Sequence, residues 1–213
     1  MKNNIKEEIY YEKIRVLSIV IAAAMMFSVV GGAAWYDEAV NWAKTEKIVE
    51  TVSAFDPEGK VTHGELIGAL YVCAQAWGKD VSAWKDTNIL SYEDAIFLPE
   101  GMAERFQWAC TAGLIAPEAT MLEYDRILTR EDMIDLVYDF AGWLGLDRSV
   151  GESTNILSYN DAFYISNGKF ACFQWACGAG ILQGTPEHNL LPQHIAVSAE
   201  MVTVLQRLEK LAC

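Results

Sequence analysis

Three segments of the chain place apolar residues at the three- and four-residue spacing of an amphipathic helix. The segments are THGELIGALYVCAQAW from Thr62, TREDMIDLVYDFAGWLG from Thr129 and SAEMVTVLQRLEKL from Ser198. Their apolar positions are Leu66, Leu70, Val72 and Cys73 in the first, Met133, Leu136, Val137 and Phe140 in the second, and Met201, Val202, Leu205 and Leu208 in the third. The pattern predicts three helices that each turn one face to a core.

The starts of these helices carry capping signals. Thr62 is followed three residues later by Glu65, which is a capping-box pattern, and Thr129 is followed by Asp132, a close relative of it. Glu200 stands at the corresponding place in the third segment. We therefore interpret these three carboxylates first as helix caps.

Shorter helical segments precede the second and third of these helices. Phe106, Ala109 and Cys110 share one helical stripe, and Gly113 is a typical helix terminator. Alternating strand patterns are scarce, because the β-prone run 163–165 is short and is followed by an Asn-Gly turn signal. The chain is therefore predicted to be all-α.

An internal repeat sets the number of units. Residues 88–115 read NILSYEDAIFLPEGMAERFQWACTAGLI, and residues 155–182 read NILSYNDAFYISNGKFACFQWACGAGIL, at an offset of 67. A diverged third copy, WYDEAVNWAKTEKIV, begins at Trp35. We predict three helix–loop–helix units over 35–80, 84–147 and 153–211, which pack on one another because one helix pair cannot bury its apolar face.

The N-terminus has the parts of an export signal. Lys13 and Arg15 precede a run without charged side chains from Val16 to Tyr36, which small residues close. We predict a signal peptide or membrane anchor over 1–34 and favour cleavage near Ala33 or Ala34. A retained anchor would contact the membrane through 16–34. A buried core helix is the third interpretation of this run.

Composition excludes several functions. The formal charge is −13, from 29 acidic and 16 basic residues, and no Lys/Arg cluster is present that would bind nucleic acid. Five cysteines without a CxxC motif fit neither a closed disulfide framework nor a structural zinc site, and Cys73, Cys110 and Cys177 are predicted to be small buried residues. The three histidines lack metal-ligand spacing. No cofactor or metal is predicted.

The repeated motifs resemble those of S-layer homology (SLH) repeats. The resemblance is carried by WYDEAVNWA from Trp35 and FDPEGKVTHGE from Phe55, by WACTAGLI from Trp108 and LTRED from Leu128, and by WACGAGILQG from Trp175 and VSAE from Val197. It covers about 35–211 and implies a pseudo-threefold bundle of three repeats. It also implies an extracellular, wall-associated protein that binds secondary cell-wall polysaccharide, often pyruvylated, in grooves between neighbouring repeats.

The resemblance also implies candidate site residues. In the family, the Arg of a Thr-Arg-Ala-Glu motif meets the ligand's carboxylate, and Arg130 alone keeps this Arg, whereas His63 and Ser198 replace it in repeats one and three. A guanidinium at a helix start would act together with free backbone amides. The candidate ligand-binding residues are Arg130, Thr129, Asp132, His63, Thr62, Glu65, Ser198, Glu200, Trp42, Trp108 and Trp175.

Several alternatives stay open. The three tryptophans are either sugar-stacking platforms or core residues, and either the groove with Arg130 dominates binding or all three grooves contribute by avidity. An enzyme is disfavoured because GxSxG, HExxH, a phosphate-binding Gly loop and a Cys–His signature are absent. A surface scaffold that binds a protein partner or assembles with itself is the remaining alternative; it would show a broad apolar patch rather than a polar groove.

Overall fold

The computed structural model of the protein describes residues 34–48, 55–82, 88–151 and 153–213. The predicted signal or anchor segment over 1–34 therefore lies almost wholly outside the described residues. The chain divides into two compact units, Met1–Glu38 and Ala39–Cys213, and the packing considered below lies within the second. In the part of the chain that is described, no helix is long and apolar enough to cross a membrane.

Six α-helices and several short 3₁₀ turns make up the described residues, which contain no β-strand. The helices are α1 (Asp37–Thr45), α2 (His63–Ala76), α3 (Met102–Thr111), α4 (Arg130–Trp143), α5 (Phe170–Gly178) and α6 (Ser198–Ala212). The predicted all-α class is confirmed for this part of the chain. The β-prone run at 163–165 lies at the 3₁₀ turn Ala162–Tyr164.

Local capping explains where α2 and α4 begin. The Thr62 and Thr129 side chains accept the amides of Glu65 and Asp132, and these carboxylates accept the threonine amides in return. At the start of α6, the Val197 side chain cannot accept a hydrogen bond, so only half of the capping box forms. In this half, the Val197 amide donates to the Glu200 carboxylate. These reciprocal bonds satisfy amides that a helix start otherwise leaves without partners.

The duplicated sequence adopts duplicated local structure. The 3₁₀ turns Ile89–Ser91 and Ile156–Ser158 each follow an Asn whose side chain accepts an amide two residues on, and a second pair of turns is Ala95–Phe97 and Ala162–Tyr164. The helices α3 and α5 follow, and each ends before a glycine with positive φ, Gly113 at 75° and Gly180 at 74°. An L side chain is disfavoured in this conformation, which explains the helix-ending glycine.

The core is strongly aromatic. Trp108 and Trp175, at equivalent places in α3 and α5, are each 1% exposed. Trp108 makes edge contacts with Tyr71 and Trp143, and Trp175 makes one with Tyr138. Because a buried indole presents no face to a sugar, these two tryptophans belong to the core, and their candidate role in ligand stacking is wrong.

The cysteines differ from the predicted pattern. Cys73 is buried as predicted, but Cys110 and Cys177 are only partly buried, whereas Cys172 is buried at 2% exposure. Cys172 faces α4, and its thiol lies 2.9 Å from the Lys169 carbonyl. Burial raises the pKa of the Cys172 thiol to about 12 and that of Cys177 to about 11, so both are neutral thiols at pH 7.

A ring of three backbone hydrogen bonds joins the segments that lead into α2, α4 and α6. Val61 donates its amide to the Ala196 carbonyl, Ala196 donates to Leu128, and Leu128 donates to Val61, at 2.9–3.0 Å. Isolated antiparallel bridges flank the ring at Lys60–Val197, Thr62–Ile127 and Thr129–Ile195. The starts of the three long helices are thereby brought together at one place.

Candidate functional site

Three junctions surround this ring, and each combines the first residue of one long helix with the third residue of the next. The His63 junction places His63 of α2 beside Asp132 of α4, and the two line one cavity. The Arg130 junction joins Arg130 of α4 to Glu200 of α6 by an ion pair. The Ser198 junction places Ser198 of α6 and Glu65 of α2 on a second cavity. The candidate residues other than the three tryptophans therefore lie at these junctions.

The first amides of the long helices are already hydrogen-bonded. The first and second residues of each helix donate their N–H groups to carbonyls of the neighbouring helix pair's loop at 2.7–2.9 Å. The pairs are His63 to Arg126, Gly64 to Tyr124, Arg130 to His194, Glu131 to Pro192, Ser198 to Gly59 and Ala199 to Pro57. The expectation of free helix-start amides beside Arg130 is wrong, because these amides connect neighbouring helix pairs instead.

The Arg130 junction is filled from within the protein. Arg130 Nη1 lies 2.5 Å from Glu200 Oε1, and both side chains are 11% exposed. Arg130 Nη2 donates to the Gln183 carbonyl at 3.3 Å, while Nε is buried without a hydrogen-bond partner. The arginine predicted to meet a ligand carboxylate thus already binds a carboxylate of its own chain.

The Ser198 junction opens into a cavity of about 670 Å³, which one face of α2 helps to line. Gly64 and Gly68, one helical turn apart on α2, are among the residues that line this cavity. A Cβ at Gly64 would lie 2.2 Å from the Tyr124 ring, and one at Gly68 would lie 2.9 Å from Arg105 Nη1. The absence of side chains at these two positions lets Tyr124 and Arg105 lie against the helix.

Cations and aromatic rings line the walls of this cavity. Lys47, Lys60 and Arg105 supply positive charge, and Phe55 and Tyr124 supply rings. The carboxylates that line it are Asp56, Glu65 and Glu100. Side chains of this kind can hold a polar, charged sugar, because rings pack against its apolar face and Lys and Arg bind anionic substituents.

The His63 junction holds a smaller cavity, of about 320 Å³. The His63 ring is 7% exposed, its Nδ1 lies 2.8 Å from the Leu122 carbonyl, and it packs edge-on against Phe106. Burial lowers the pKa of His63 below its ordinary value. A neutral, buried imidazole replaces the family's arginine here, so His63 packs in the core and does not offer a charge to a ligand.

Four carboxylates and Arg126 line the His63 cavity together with apolar residues. Asp132 accepts Lys169 Nζ at 2.6 Å, and although burial opposes ionisation, this bond and the Thr129 bonds together lower its pKa. Burial raises the pKa values of Asp135 and Asp139, which line the same cavity. These opposite shifts separate a capping carboxylate that is held ionised from two that are more easily protonated.

Trp42 lies away from the three junctions. Its Nε1 donates to Glu209 Oε2 at 2.7 Å, and the other oxygen of Glu209 accepts Nε1 of Trp77 at 3.1 Å. Trp42 therefore attaches α1 to the end of α6. Among the residues with defined positions, no group of three or more His, Cys, Asp or Glu side chains could hold a metal ion.

Sequence reasoning found Glu65 and Ser198 but missed the cations and aromatic rings that line the larger cavity. Lys47, Lys60 and Arg105 come from three separated segments, and no periodic pattern connects them. One signal was available in the Gly64 and Gly68 pair, because glycine is unfavourable inside a helix unless something lies close against it. Arg207, which lies near the Arg130 junction, carried no comparable signal.

Comparison with known proteins gives one family match. Residues 29–67 match the model of the S-layer homology domain. This range contains the WYDEAVNWA motif and the capped start of α2, so the resemblance is supported for the first helix pair. No curated protein matches the chain.

Proposed function

We propose that the protein is a non-enzymatic module of the bacterial surface that binds cell-wall polysaccharide. The match over 29–67 supports this, since SLH domains generally mediate cell-wall anchoring and form a non-catalytic binding family. The predicted export segment agrees with an extracellular location. The finer assignment to a pyruvylated secondary polymer is part of the proposal.

We further infer that the chain contains three SLH repeats in a pseudo-threefold bundle. Two features support this architecture: the duplicated local structure of 88–115 and 155–182, and the ring of hydrogen bonds among Val61, Leu128 and Ala196. Each helix pair gives hydrogen bonds to one neighbour and accepts them from the other, as a closed three-membered arrangement requires.

The observation that carries the binding proposal is the cavity at the Ser198 junction. Its volume of about 670 Å³ lies in the range typical of ligand sites. Its lining combines three cations, three carboxylates and two aromatic rings, so it carries no formal net charge in a chain of −13. We propose that this junction binds an anionic sugar of the polymer. The Arg130 junction stays a second proposed contact.

Binding to purified sacculi tests this proposal. Lys60→Glu and Lys47→Glu place negative charge in the cavity, and both lysines are exposed, so folding should be unaffected. Losing a charge-assisted contact costs about 1.5–3 kcal/mol, roughly ten- to a hundredfold in affinity. We expect each variant to weaken binding by at least about tenfold in a co-sedimentation isotherm.

Lys210→Glu is the matched control, because Lys210 is exposed and lines neither cavity. Sacculi stripped of their polysaccharide are the second control. Equal binding by Lys60→Glu, Lys47→Glu and Lys210→Glu would exclude the Ser198 junction as the site. Equal binding of the parent protein to intact and stripped sacculi would reject the polysaccharide proposal.

A protein-binding scaffold is the second candidate, favoured by a repeated set of exposed apolar side chains. Phe97 is 77% exposed, and its equivalent Tyr164 is 42% exposed. The full set is Leu90, Ile96 and Phe97 in one repeat and Leu157, Phe163 and Tyr164 in the next. If this candidate is correct, Phe97→Asp and Phe163→Asp should abolish self-association in light scattering and leave sacculus binding unchanged.

A further inference from the structure

The Asn-Gly pair at 167–168 forms an exposed turn immediately before α5. The Lys169 amide donates to the Ser166 carbonyl at 3.0 Å and closes the turn, and Gly168 has a φ of 90°. Glycine adopts this left-handed conformation without steric cost, which explains its place here. Asn167 and Gly168 are both exposed. The fold therefore presents an asparagine, together with the main-chain amide that follows it, directly to water.

This dipeptide has the arrangement in which an asparagine loses its side-chain amide without an enzyme. Asparagine is among the thermolabile residues of proteins, because the nitrogen of the next main-chain amide can attack its Cγ. Glycine obstructs this attack least, since it has no Cβ. Within the described residues, neither the Gly168 amide nor the Asn167 side chain takes part in a hydrogen bond. No hydrogen bond therefore has to break before the two groups react.

The other asparagines with defined positions are less favourable for this reaction. Asn167 is the one asparagine in the sequence that a glycine follows. Asn155 is followed by a β-branched isoleucine, and its Oδ1 accepts the Leu157 amide at 3.1 Å. Asn160 donates its Nδ2 to the Glu187 carbonyl at 2.7 Å. These asparagines provide internal controls within the same chain.

The equivalent turn in the other duplicated segment does not contain asparagine. Gly101 there has a φ of 78°, and the Met102 amide donates to the Pro99 carbonyl at 3.1 Å, so the backbone turn is the same. Glu100 stands at the place of Asn167. Its side chain is one methylene longer and ends in a carboxylate, which an amide nitrogen attacks poorly. The turn itself therefore does not require an asparagine.

The first turn of α4 holds the Asn167 turn on both sides. Ser166 donates its amide and its hydroxyl to the Glu131 carboxylate, at 3.1 and 2.7 Å. Lys169 Nζ donates to Asp132 Oδ1 at 2.6 Å. These contacts attach the start of α5 to the start of α4. A longer backbone between the two anchors would have to give up the hydrogen bond of the turn or one of the anchors.

We propose that Asn167 is a site of spontaneous modification, at which attack by the Gly168 nitrogen converts the asparagine to aspartate and isoaspartate and loosens the attachment of α5 to α4. The Gly168 amide gives its proton to hydroxide, its nitrogen bonds to Asn167 Cγ, and the bond from Cγ to the side-chain nitrogen breaks. That nitrogen takes a proton from water and leaves as ammonia, so a cyclic imide remains. No electrons are exchanged with another molecule.

Water then opens the imide at one of its two carbonyl carbons. Cleavage of the bond to Cγ gives aspartate with the ordinary backbone. Cleavage of the bond to the main-chain carbonyl carbon gives isoaspartate, whose backbone runs through Cγ and is one methylene longer. Both products add a negative charge beside Lys169, and isoaspartate also lengthens the turn. Because Lys169 neutralises Asp132, the change would extend to the His63 cavity, which Asp132 lines.

Peptide mapping of the folded protein after incubation at mildly alkaline pH tests the modification. We expect mass spectrometry to show loss of the Asn167 amide, with isoaspartate among the products, while Asn155 and Asn160 keep theirs. Asn167→Glu copies the turn of the other segment and is the matched control, which should keep its mass. Retention of the Asn167 amide in the folded protein, or equal conversion of all three asparagines, would overturn the proposal.

Urea denaturation of fresh and incubated samples tests the loosening. We expect the incubated parent protein to unfold at a lower urea concentration than the fresh one, and Asn167→Glu to be unchanged by incubation. Fresh Asn167→Glu should unfold with the fresh parent, because it adds the charge and keeps the ordinary backbone. Unfolding of this variant with the incubated parent would overturn the role of the longer backbone. Equal midpoints of the fresh and incubated parent, once conversion is complete, would overturn the loosening. The modification does not depend on polysaccharide binding, so none of these results bears on the proposed function.

Discussion

The first residue of each long helix determines the character of its junction. Arg130 reaches Glu200 and fills its junction, Ser198 is short and leaves a cavity of about 670 Å³, and His63 turns inward to the Leu122 carbonyl. The backbone hydrogen bonds around these residues are the same in all three places. A different side chain at one position therefore gives each junction a different chemistry on the same pattern of backbone hydrogen bonds.

The buried His63 should make folding stability depend on pH. Because its pKa is lowered in the folded protein, the unfolded chain takes up this proton first as the pH falls below about 6.5. The unfolded state then binds more protons, so the free energy of unfolding should decrease from pH 7 to pH 5.5. Urea denaturation at several pH values measures this slope.

His63→Gln should show lower stability at pH 7.5 and a smaller slope, because this side chain does not titrate. His194→Gln serves as the matched control, since His194 is an exposed histidine at the end of an equivalent loop. The two variants should differ clearly between pH 7 and pH 5.5. An unchanged slope in His63→Gln would show that other groups cause the pH dependence.

Residue-scale prediction succeeded where the causes are local. Thr62 with Glu65 and Thr129 with Asp132 form the capping boxes that their spacing predicts. The partner of Arg130 could not be predicted in this way, because Glu200 is 70 residues away and reaches it only through the packing of α4 and α6. The same holds for the inward orientation of His63.

At the scale of elements, one aspartate organises the loop before α4 and another organises the loop before α6. Asp94 accepts the amides of Leu122 and Glu123, and its equivalent Asp161 accepts those of Leu190 and Leu191. Each bond spans 28 to 30 residues and joins the residue before the second 3₁₀ turn to the segment before the long helix. Leu191 has a φ of 55°, an unfavourable conformation that these bonds help to hold.

Asp161→Asn should destabilise the protein by about 1–3 kcal/mol, because one loop amide would face an N–H₂ group and lose its acceptor. Asp94→Asn should have a similar effect in the other repeat. Asp125→Asn is the control, at an exposed aspartate. Chemical denaturation compares the three. If all three variants unfold at the same urea concentration, the loop bonds contribute nothing measurable.

The sequence contained part of the information on the loops that Asp94 and Asp161 organise. The motif NILSY followed by Asp-Ala recurs at an offset of 67, which marks the aspartate as part of the repeated unit. The helices α2, α4 and α6 could be predicted from capping and periodicity. The form of the loops could not, since it depends on hydrogen bonds between positions that are far apart in the chain.

At the scale of the whole molecule, a closed ring differs from a linear stack of repeats. Repetition in the sequence predicted three packed units, and the resemblance implied that they form a pseudo-threefold bundle. In the structure, α6 donates the Ser198 and Ala199 amides to the loop before α2, at Gly59 and Pro57. A linear solenoid has no contact of this kind between its first and last repeats.

Ser198→Pro tests whether this closing contact stabilises the protein. Proline is favourable at the first position of an ordinary helix, because the amide there has no partner. The backbone of Val197, which precedes Ser198, is extended at ψ 157° and accommodates a following proline. Here the Ser198 amide bonds Gly59 at 2.8 Å, and the hydroxyl bonds the same carbonyl at 3.2 Å. Ser198→Ala removes only the hydroxyl contact, so the difference between the two variants isolates the amide. We expect the free energy of unfolding of Ser198→Pro to be about 1–3 kcal/mol lower than that of Ser198→Ala, because the Gly59 carbonyl loses its last partner from α6. Equal or greater stability of Ser198→Pro in urea denaturation would mean that α6 starts as an ordinary helix does and that the ring is not held closed at this junction.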